Sequence, residues 1–402
     1  MKTKGACWQL AVLLAVTLEC SVPGSVWGAL FVVNKETDDN GPCSLDDCAL
    51  REAVLAADAL PGADVVHIPP GTYELTLGRE DPNFFSGEID IEDDVEIIAP
   101  SGAVVVGSGT SDRPIFYIHD AATVRLEGLT VTGGRYCCGA AFWILGADVV
   151  LDQCWITGNE GTVDSGGIEF GPGRLEIVNS TISGNTALRR GGAIQRTSFG
   201  STAPAFLIIR NSTISGNSAR EGGAISSFGG GGDIRIENST IAGNPVRNFG
   251  SVIFVFSGKK PTFVNSVLEG DCSYAGQLPI SEGGNVDGPG ETFCNLDHPT
   301  DLPAQPNLGL LPLGEYGGPT PTHALSPASP AVDRALASAC PDADQRGEPR
   351  PVDGDGDGIA QCDAGAVELQ DAVADIPALS LVMALLLAAL LAVAGTSALR
   401  GT

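Results

Sequence analysis

Apolar and polar residues alternate in short runs that recur along the middle of the chain. Leu175 and Ile177, for example, alternate with Glu176 and Val178. A period of two predicts a β-strand in which Leu175 and Ile177 point inward. Most runs lead to a further apolar residue and then to Gly-Asn or Gly-Gly, which supplies a turn that tolerates positive φ. The apolar residue before the turn recurs at seven positions: Val105, Val131, Ile156, Ile182, Ile214, Ile241 and Leu268.

Successive markers are 25 to 32 residues apart, and such a period indicates a repeat fold. Propeller blades need about 40–45 residues, and leucine-rich repeats need a strict leucine ladder that this sequence lacks. Helical repeats are disfavoured because glycine pairs and β-branched residues interrupt every unit. The sequence therefore predicts an all-β fold, a right-handed parallel β-helix in which each repeat forms one coil.

One asparagine recurs at the same place in four repeats. If the repeats stack, these amides lie above one another and can hydrogen-bond along the stack as a ladder. Three of them begin Asn-Ser-Thr, which is also a glycosylation sequon. We favour the ladder because the sequons recur with the repeat. The positions are Asn179, Asn211, Asn238 and Asn265.

The predicted solenoid occupies residues 63–270, with a cap on each side. Residues 29–62 form an N-terminal cap, in which an alanine-rich amphipathic helix places Leu50, Val54 and Leu55 on one face. This helix would cover the open apolar end of the first coil, because solenoids need capped ends. Residues 271–370 form a C-terminal cap.

Both ends of the chain are predicted to be targeting segments. Residues 1–28 have a charged start, an apolar run and small residues before Ala29, as in a signal peptide, with an uncleaved anchor as the alternative. Residues 371–402 contain an apolar stretch long enough to span a bilayer. The tail is either a processed sorting signal or a transmembrane anchor, and both place the body outside the cytoplasm.

Composition and charge narrow the classes of partner. Glycine accounts for 53 of the 402 residues, aromatic residues make up only 6%, and the formal net charge is −27. Such a negative field repels a phosphate backbone, so nucleic-acid binding is excluded. Metal cations and cationic groups are attracted instead.

The cysteine spacing predicts local disulfides in an oxidising compartment. Three pairs are close in sequence: Cys43 with Cys48, Cys272 with Cys294, and Cys340 with Cys362. Cys7 and Cys20 leave with the predicted signal peptide, so nine cysteines remain, and the odd count leaves the pairing of three open: Cys137, Cys138 and Cys154. A zinc site is the alternative, but the chain has no paired CxxC and only four histidines.

Two groups of charged residues are candidates for chemistry. On the outer face of the predicted strands, Glu127 and Asp152 fall on neighbouring coils, close enough for a carboxylate pair, with Arg210 two coils further on. These three are weak candidates for a catalytic site. Near the C-terminus, a glycine-rich loop carries carboxylates that could wrap Ca²⁺. Its candidate ligands are Asp353, Asp355, Asp357 and Asp363.

Several segments resemble known bacterial families. The GGAI units at residues 191–194 and 222–225, with a variant at 165–168, resemble the repeats of polymorphic outer-membrane proteins. The segment from Cys43 to Ala57 is similar to the "CSLREAI" segment that precedes such helices. Residues 306–333, 344–351 and 362–368 resemble the choice-of-anchor Q domain of surface proteins. Residues 376–380 resemble the start of an IPTL-CTERM sorting signal.

These resemblances imply a location at the cell surface and a sorting or anchoring machinery as one partner. We expect a structural or adhesive role, with an extracellular polysaccharide or another cell-surface component as ligand. Parallel β-helices also occur in pectate lyases and polygalacturonases. The alternative function is therefore a polysaccharide lyase or glycoside hydrolase.

Overall fold

The computed structural model describes residues 28–77, 87–109, 113–229, 231–246, 252–275, 278–289 and 294–370. Except for Gly28, the predicted signal peptide lies outside these residues, as does the C-terminal tail. In the part of the chain that is described, no helix has the length and apolarity needed to cross a membrane.

The described residues contain one α-helix, α1 (Leu50–Asp58), and a series of short strands. The strands of the first half are β1 (Leu30–Val32), β2 (Asp64–His67), β3 (Thr72–Glu74), β4 (Ile89–Ile91), β5 (Val95–Val106), β6 (Phe116–Ile118), β7 (Thr123–Thr132), β8 (Arg135–Tyr136), β9 (Phe142–Ile144), β10 (Asp148–Asp152), β11 (Trp155–Thr157), β12 (Glu160–Gly161), β13 (Ile168–Phe170) and β14 (Gly173–Val178). Those of the second half are β15 (Thr181–Ser183), β16 (Thr186–Ala187), β17 (Ile194–Thr197), β18 (Ala205–Arg210), β19 (Thr213–Ser215), β20 (Ile225–Phe228), β21 (Ile234–Glu237), β22 (Thr240–Ala242), β23 (Ile253–Ser257), β24 (Pro261–Val264), β25 (Val267–Leu268), β26 (Cys272–Tyr274), β27 (Ile280–Gly283) and β28 (Val286–Asp287).

The strands stack in parallel, coil upon coil, as predicted. A long sheet contains two strands from each coil, so that β14 pairs with β18 and β15 with β19. A second sheet is formed by one strand from each coil, β4, β6, β9, β13, β17, β20, β23 and β26. A small third sheet joins β8, β12 and β16. The seven apolar markers lie in register from Val105 to Leu268, so the predicted repeat is confirmed.

The interior is filled by aliphatic side chains from equivalent positions. Ile182, Ile214 and Ile241 stack in successive coils and are almost completely buried. Leu175 and Ile177 point inward, while Glu176 and Val178 are more exposed, as the alternation predicts. The parallel pairing also extends past residues 63–270, because β1 pairs with β2 and β25 with β28.

Asparagines adopt a left-handed turn between the two long-sheet strands of a coil. The φ angles of Asn179, Asn211, Asn238 and Asn265 are 48°, 51°, 46° and 49°. Asparagine tolerates this region better than most residues. The Nδ2 of Asn211 donates to Oδ1 of Asn179 at 2.8 Å, and Asn265 donates to Asn238 at 3.2 Å. Between Asn211 and Asn238 the ladder is interrupted, because Nδ2 of Asn238 donates to the carbonyl of Ala339 instead.

A second asparagine ladder, which the sequence analysis missed, is continuous. It is formed by the asparagines of the Gly-Asn turns: Asn159, Asn185, Asn217 and Asn244. In each of the first three, Nδ2 donates to Oδ1 of the next asparagine at 2.9–3.0 Å, and the backbone N–H donates to the same oxygen at 3.0 Å. All four are buried, and the preceding glycine takes the positive φ.

The N-terminal helix α1 packs against β1, β2 and β4. Leu50 and Val54 are buried as predicted, but Leu55 is 46% exposed, so its assignment to the buried face was wrong. An α-helix turns by about 100° per residue. Leu55 therefore points away from Val54, and Ala53 and Ala57 complete the buried face.

The C-terminal region lies along the flank of the solenoid rather than over its end alone. Backbone and side-chain groups of this region bond to the outward threonines of β15, β19 and β22. The Oγ1 of Thr181 donates to the carbonyl of Pro321 at 2.6 Å, and Thr213 bonds to Gln345 at 2.6 Å. Oγ1 of Thr240 accepts the backbone N–H of Ala366 at 3.0 Å.

All three predicted disulfides are confirmed. They join Cys43 to Cys48, Cys272 to Cys294, and Cys340 to Cys362. Cys137, Cys138 and Cys154 form no disulfide within the described residues. Several disulfides in one chain indicate an extracellular, oxidising environment.

Replacing Asn217 with alanine should destabilise the solenoid by about 2–3 kcal/mol. The change leaves the backbone N–H and one Nδ2 hydrogen of Asn185 without an acceptor and removes the bonds from Asn217 to the carbonyls of Ile182 and Ser215. Urea unfolding monitored by circular dichroism measures the difference. The control Asn40→Ala removes an exposed amide and should change the unfolding free energy by less than about 0.5 kcal/mol. Equal losses in both variants would contradict a special role for the ladder.

Candidate functional site

The outward side chains of the second sheet form one row along the solenoid. The strand register places the following residues on successive coils, and we call them the second-sheet face: Asp90, Tyr117, Trp143, Glu169, Gln195, Ser226 and Phe254. This face was not predicted from the sequence. The sequence does carry a signal for it. Four short segments have apolar residues at both ends, which are buried, and a polar or aromatic residue between them: 89–91, 116–118, 142–144 and 168–170.

Aromatic rings gather at the N-terminal half of this face. Tyr117 and Trp143 stack with ring centroids 4.9 Å apart and an interplanar angle of 22°. Tyr136 lies 5.8 Å from Trp143, and Phe199 meets it edge-on at 6.4 Å. All four rings are partly exposed, and Phe199 is 42% exposed. We call these four residues the aromatic cluster.

His119 joins the aromatic cluster to a group of carboxylates. Its ring lies 4.4 Å from that of Tyr117. Its Nε2 is 2.9 Å from Oδ1 of Asp90, and its Nδ1 is 3.0 Å from Oδ2 of Asp120. Burial opposes protonation of the imidazole, but the hydrogen bonds and charges of Asp120 and Asp90 outweigh it and raise the pKa of His119. Asp90, Glu92 and His119 have ligand atoms within 4.8 Å of one another and could hold a metal ion.

Glu169 is a buried carboxyl on the coil after Trp143. It is only 6% exposed, and burial together with the charge of Asp164 raises its pKa to about 8, while Arg189 opposes the shift. The group is therefore largely protonated at neutral pH.

Unpartnered polar atoms extend from Trp143 along the row. Among the described residues, four side-chain atoms of this face are buried without a hydrogen-bond partner: Nε1 of Trp143, Oε2 of Glu169, Oε1 of Gln195 and Oγ of Ser226. These atoms belong to four successive coils of one face. A buried polar atom without a partner is costly, and water or a bound molecule normally satisfies it.

The turns beside this face carry paired charges. Arg189 binds Asp164 at 2.8 Å, and Arg190 lies 3.3 Å from Glu221. The guanidinium of Arg190 also lies 3.7 Å above the ring of Phe228. These contacts hold charged groups at the edge of the second-sheet face.

The predicted catalytic candidates lie elsewhere, on the outer face of the long sheet. Glu127 and Asp152 are opposite one another, as expected, but Arg125 bridges them at 2.9 and 2.6 Å. Arg210 binds both Glu176 and Glu237. The carboxylates of this face thus alternate with guanidinium groups, and their catalytic role stays a prediction.

Of the four predicted metal ligands, the structure brings two together. Asp353 and Asp355 lie with Asp333, which the sequence analysis missed, and their oxygens are within 4.8 Å of one another. Asp357 is outside this group and accepts the N–H of Ile359. Asp363 is also outside it. Its carboxylate is buried and accepts N–H groups of Asp333 and Leu369, and burial beside Glu368 raises its pKa to about 7.

Comparison with known proteins agrees with the fold. A family model described as "Right handed beta helix region" matches residues 105–270. The chain carries a right-handed β-helix region. The match begins at the end of β5, extends past β25 and includes the aromatic cluster and Glu169. No curated protein matches the chain.

The raised pKa of Glu169 predicts a pH-dependent stability. The folded state holds this proton up to about pH 8, whereas the unfolded state releases it near 4.5. The contribution of Glu169 to stability is therefore complete below about pH 4.5 and is lost as the pH rises towards 8. Between pH 5 and pH 9 the unaltered protein should therefore lose a few kcal/mol more of its unfolding free energy than Glu169→Gln does, because each unit of pKa difference corresponds to about 1.4 kcal/mol.

Urea unfolding at both pH values measures this effect. The matched control is Glu160→Gln, which changes an exposed side chain of β12 and should keep the pH dependence of the unaltered protein. Identical pH dependence in Glu169→Gln and the unaltered protein would show that Glu169 is ionised in the folded state.

Proposed function

We propose that this protein is an exported solenoid that binds an extracellular polysaccharide through the aromatic cluster of the second-sheet face. The observation that carries the proposal is the stack of Tyr117 on Trp143, which lie on adjacent coils and are partly exposed, beside buried polar atoms that have no hydrogen-bond partner. Aromatic rings combined with a few placed polar groups are typical of small-molecule binding surfaces.

A sugar ring fits this combination of groups. One face of a pyranose presents C–H groups, which pack against an aromatic ring, while its edge carries hydroxyl groups that both donate and accept hydrogen bonds. Aromatic side chains bury a large apolar area and still offer polar edges. Because equivalent positions repeat along the solenoid at the strand spacing of about 4.8 Å, a linear polymer can follow the row.

The charges beside the cluster favour a neutral polymer. Asp90, Glu92 and Asp120 surround His119 at the end of the aromatic cluster, and the whole chain carries a net charge of −27. Carboxylated sugars would be repelled by this field. Hydroxyl-rich neutral sugars can instead donate hydrogen bonds to the carboxylates.

The proposed site of action is the cell surface. The disulfides support export into an oxidising compartment. The resemblance of residues 306–368 to the choice-of-anchor Q domain, and of the tail to an IPTL-CTERM signal, supports a surface protein whose tail is processed by a sorting machinery or retained as an anchor. In that setting polysaccharide binding serves adhesion.

We also propose that Asp333, Asp353 and Asp355 bind Ca²⁺. The N–H of Asp355 donates to Oδ2 of Asp333 at 2.7 Å, and the loop glycines 356 and 358 donate to both oxygens of Asp353 at 2.8 and 2.9 Å. Burial and the neighbouring carboxylates raise the pKa of Asp333, which shows that negative charge is crowded here. A hard cation with oxygen ligands would relieve this repulsion.

Replacing Trp143 with alanine should weaken polysaccharide binding at least tenfold, because it removes the central ring of the cluster. A glycan array identifies the polymer, and calorimetry of the secreted protein measures the affinity. The matched control is Trp155→Ala, because Trp155 is a partly exposed tryptophan of the long sheet and not of this face. Unchanged affinity in Trp143→Ala, with the fold intact by circular dichroism, would contradict the proposed site.

The same polymers should be examined for products. Binding without cleavage is the expected result. Release of reducing ends would instead support the glycoside hydrolase, and unsaturated products would support the lyase. Loss of such activity in Glu169→Gln would place it on the second-sheet face, whereas loss in Glu127→Ala and Asp152→Ala would place it on the long sheet.

Millimolar Ca²⁺ should raise the melting temperature of the protein by a few degrees, because a ligand that binds only the folded state stabilises it. Asp353→Asn removes a ligand and should abolish the shift. Asp357→Asn removes a carboxylate of the same loop that lies outside the group, so it should preserve the shift. If Ca²⁺ produces neither a thermal shift nor calorimetric heat, the site does not bind it.

A further inference from the structure

Cys137 and Cys138 are neighbours in sequence and form a close sulfur pair. Their Sγ atoms are 2.8 Å apart, and both residues are partly exposed. They follow β8 in the turn that leads to the second sheet. We propose that in the exported protein Cys137 and Cys138 are joined by a disulfide, a modification site additional to the three disulfides already described.

The geometry requires little movement. A disulfide bond is about 2.05 Å long, so the two sulfurs need to approach by less than about 1 Å. Consecutive Cα atoms are only about 3.8 Å apart, which is below the usual range for disulfides, so the bond closes a tight ring. The following Gly139 has a φ of 62°, and a Cβ there would lie 2.2 Å from the carbonyl oxygen of Phe142. The turn is thus held close against the second sheet.

Cys154 is not a competing partner. It is fully buried at the turn between β10 and β11, which belongs to the long sheet. Its sulfur contacts the carbonyl oxygen of Leu126 at 3.4 Å, and its backbone N–H donates to Oγ of Ser180 at 3.0 Å. Serines occupy the same place in later coils, so Cys154 acts as a small buried residue of the turn. The spare cysteine left by the odd count is therefore Cys154.

The reaction is a thiol–disulfide exchange with a disulfide oxidant of the export compartment. The thiolate of one cysteine attacks a sulfur of the oxidant, which leaves a mixed disulfide and one released thiol. The second cysteine thiolate then attacks the cysteine sulfur of the mixed disulfide and releases the other thiol. Two S–H bonds are lost, the new S–S bond replaces that of the oxidant, and the oxidant leaves as two thiols.

A strained, partly exposed disulfide is easier to reduce than a relaxed structural one. The proposed bond should therefore open before those of Cys43–Cys48, Cys272–Cys294 and Cys340–Cys362. It lies directly after Tyr136, a member of the aromatic cluster. Its formation does not depend on polysaccharide binding.

Peptide mass spectrometry of the exported full-length protein tests the proposal. Cleavage after Arg135 and Arg174 releases residues 136–174, which contain Cys137, Cys138 and Cys154 and no other cysteine. After denaturation and alkylation without reductant, we expect one label, on Cys154, and a mass two hydrogens below that of the singly labelled dithiol. Reduction before alkylation should give three labels. Three labels without reduction, or a bond that includes Cys154, would overturn the proposal.

Two further measurements strengthen the assignment. Without reductant, the control variant Cys137→Ser should show two labels, on Cys138 and Cys154, because the ring cannot form. In a titration with dithiothreitol, labels on Cys137 and Cys138 should appear at a lower concentration than labels on the six other disulfide cysteines. Simultaneous opening of all four bonds would contradict the strained ring.

Discussion

The structure depends on the parallel pairing of each coil with an equivalent coil above and below it. Pairing in exact register stacks buried polar turns as well as apolar side chains, and a turn can be buried only if its polar groups find partners in the next coil. The asparagines at 159, 185, 217 and 244 meet this requirement. The oxygens of the last three each accept two N–H groups from the preceding coil, and that of Asn159 accepts the N–H of Gly134. The repeat is consequently maintained at the turn as strictly as in the core.

Because the coils stack, equivalent outward side chains of successive coils form rows along the solenoid. Three such rows differ in what covers them. On the first strands of the long sheet, arginines alternate with carboxylates, as around Arg125 and Arg210. On its second strands, the C-terminal region covers the outward threonines. The second-sheet face instead combines partly exposed rings with buried, unpartnered polar atoms, and this is why it is the proposed binding surface.

The site was harder to predict than the fold for a physical reason. Glu127 and Asp152 are neighbours because the period places them there, but the bridge that Arg125 makes between them depends on side-chain packing in the folded chain. Asp333 is twenty residues from Asp353, and only the folding of the C-terminal region brings them together. The protonation of Glu169 depends on burial and on Asp164, neither of which has a local sequence signature. Leu55 was misplaced because one residue shifts a helical side chain by about 100°.

By itself, the sequence determined the coil, its period, the register of the seven markers and the disulfide pairs that are close along the chain. Each of these follows from local spacing, since identical positions separated by one coil must stack. The tertiary structure alone decided which outer rows are covered, which carboxylates meet, and that Cys154 is buried away from Cys137 and Cys138. These features arise from contacts between segments far apart in sequence, where burial and charge depend on packing rather than on spacing.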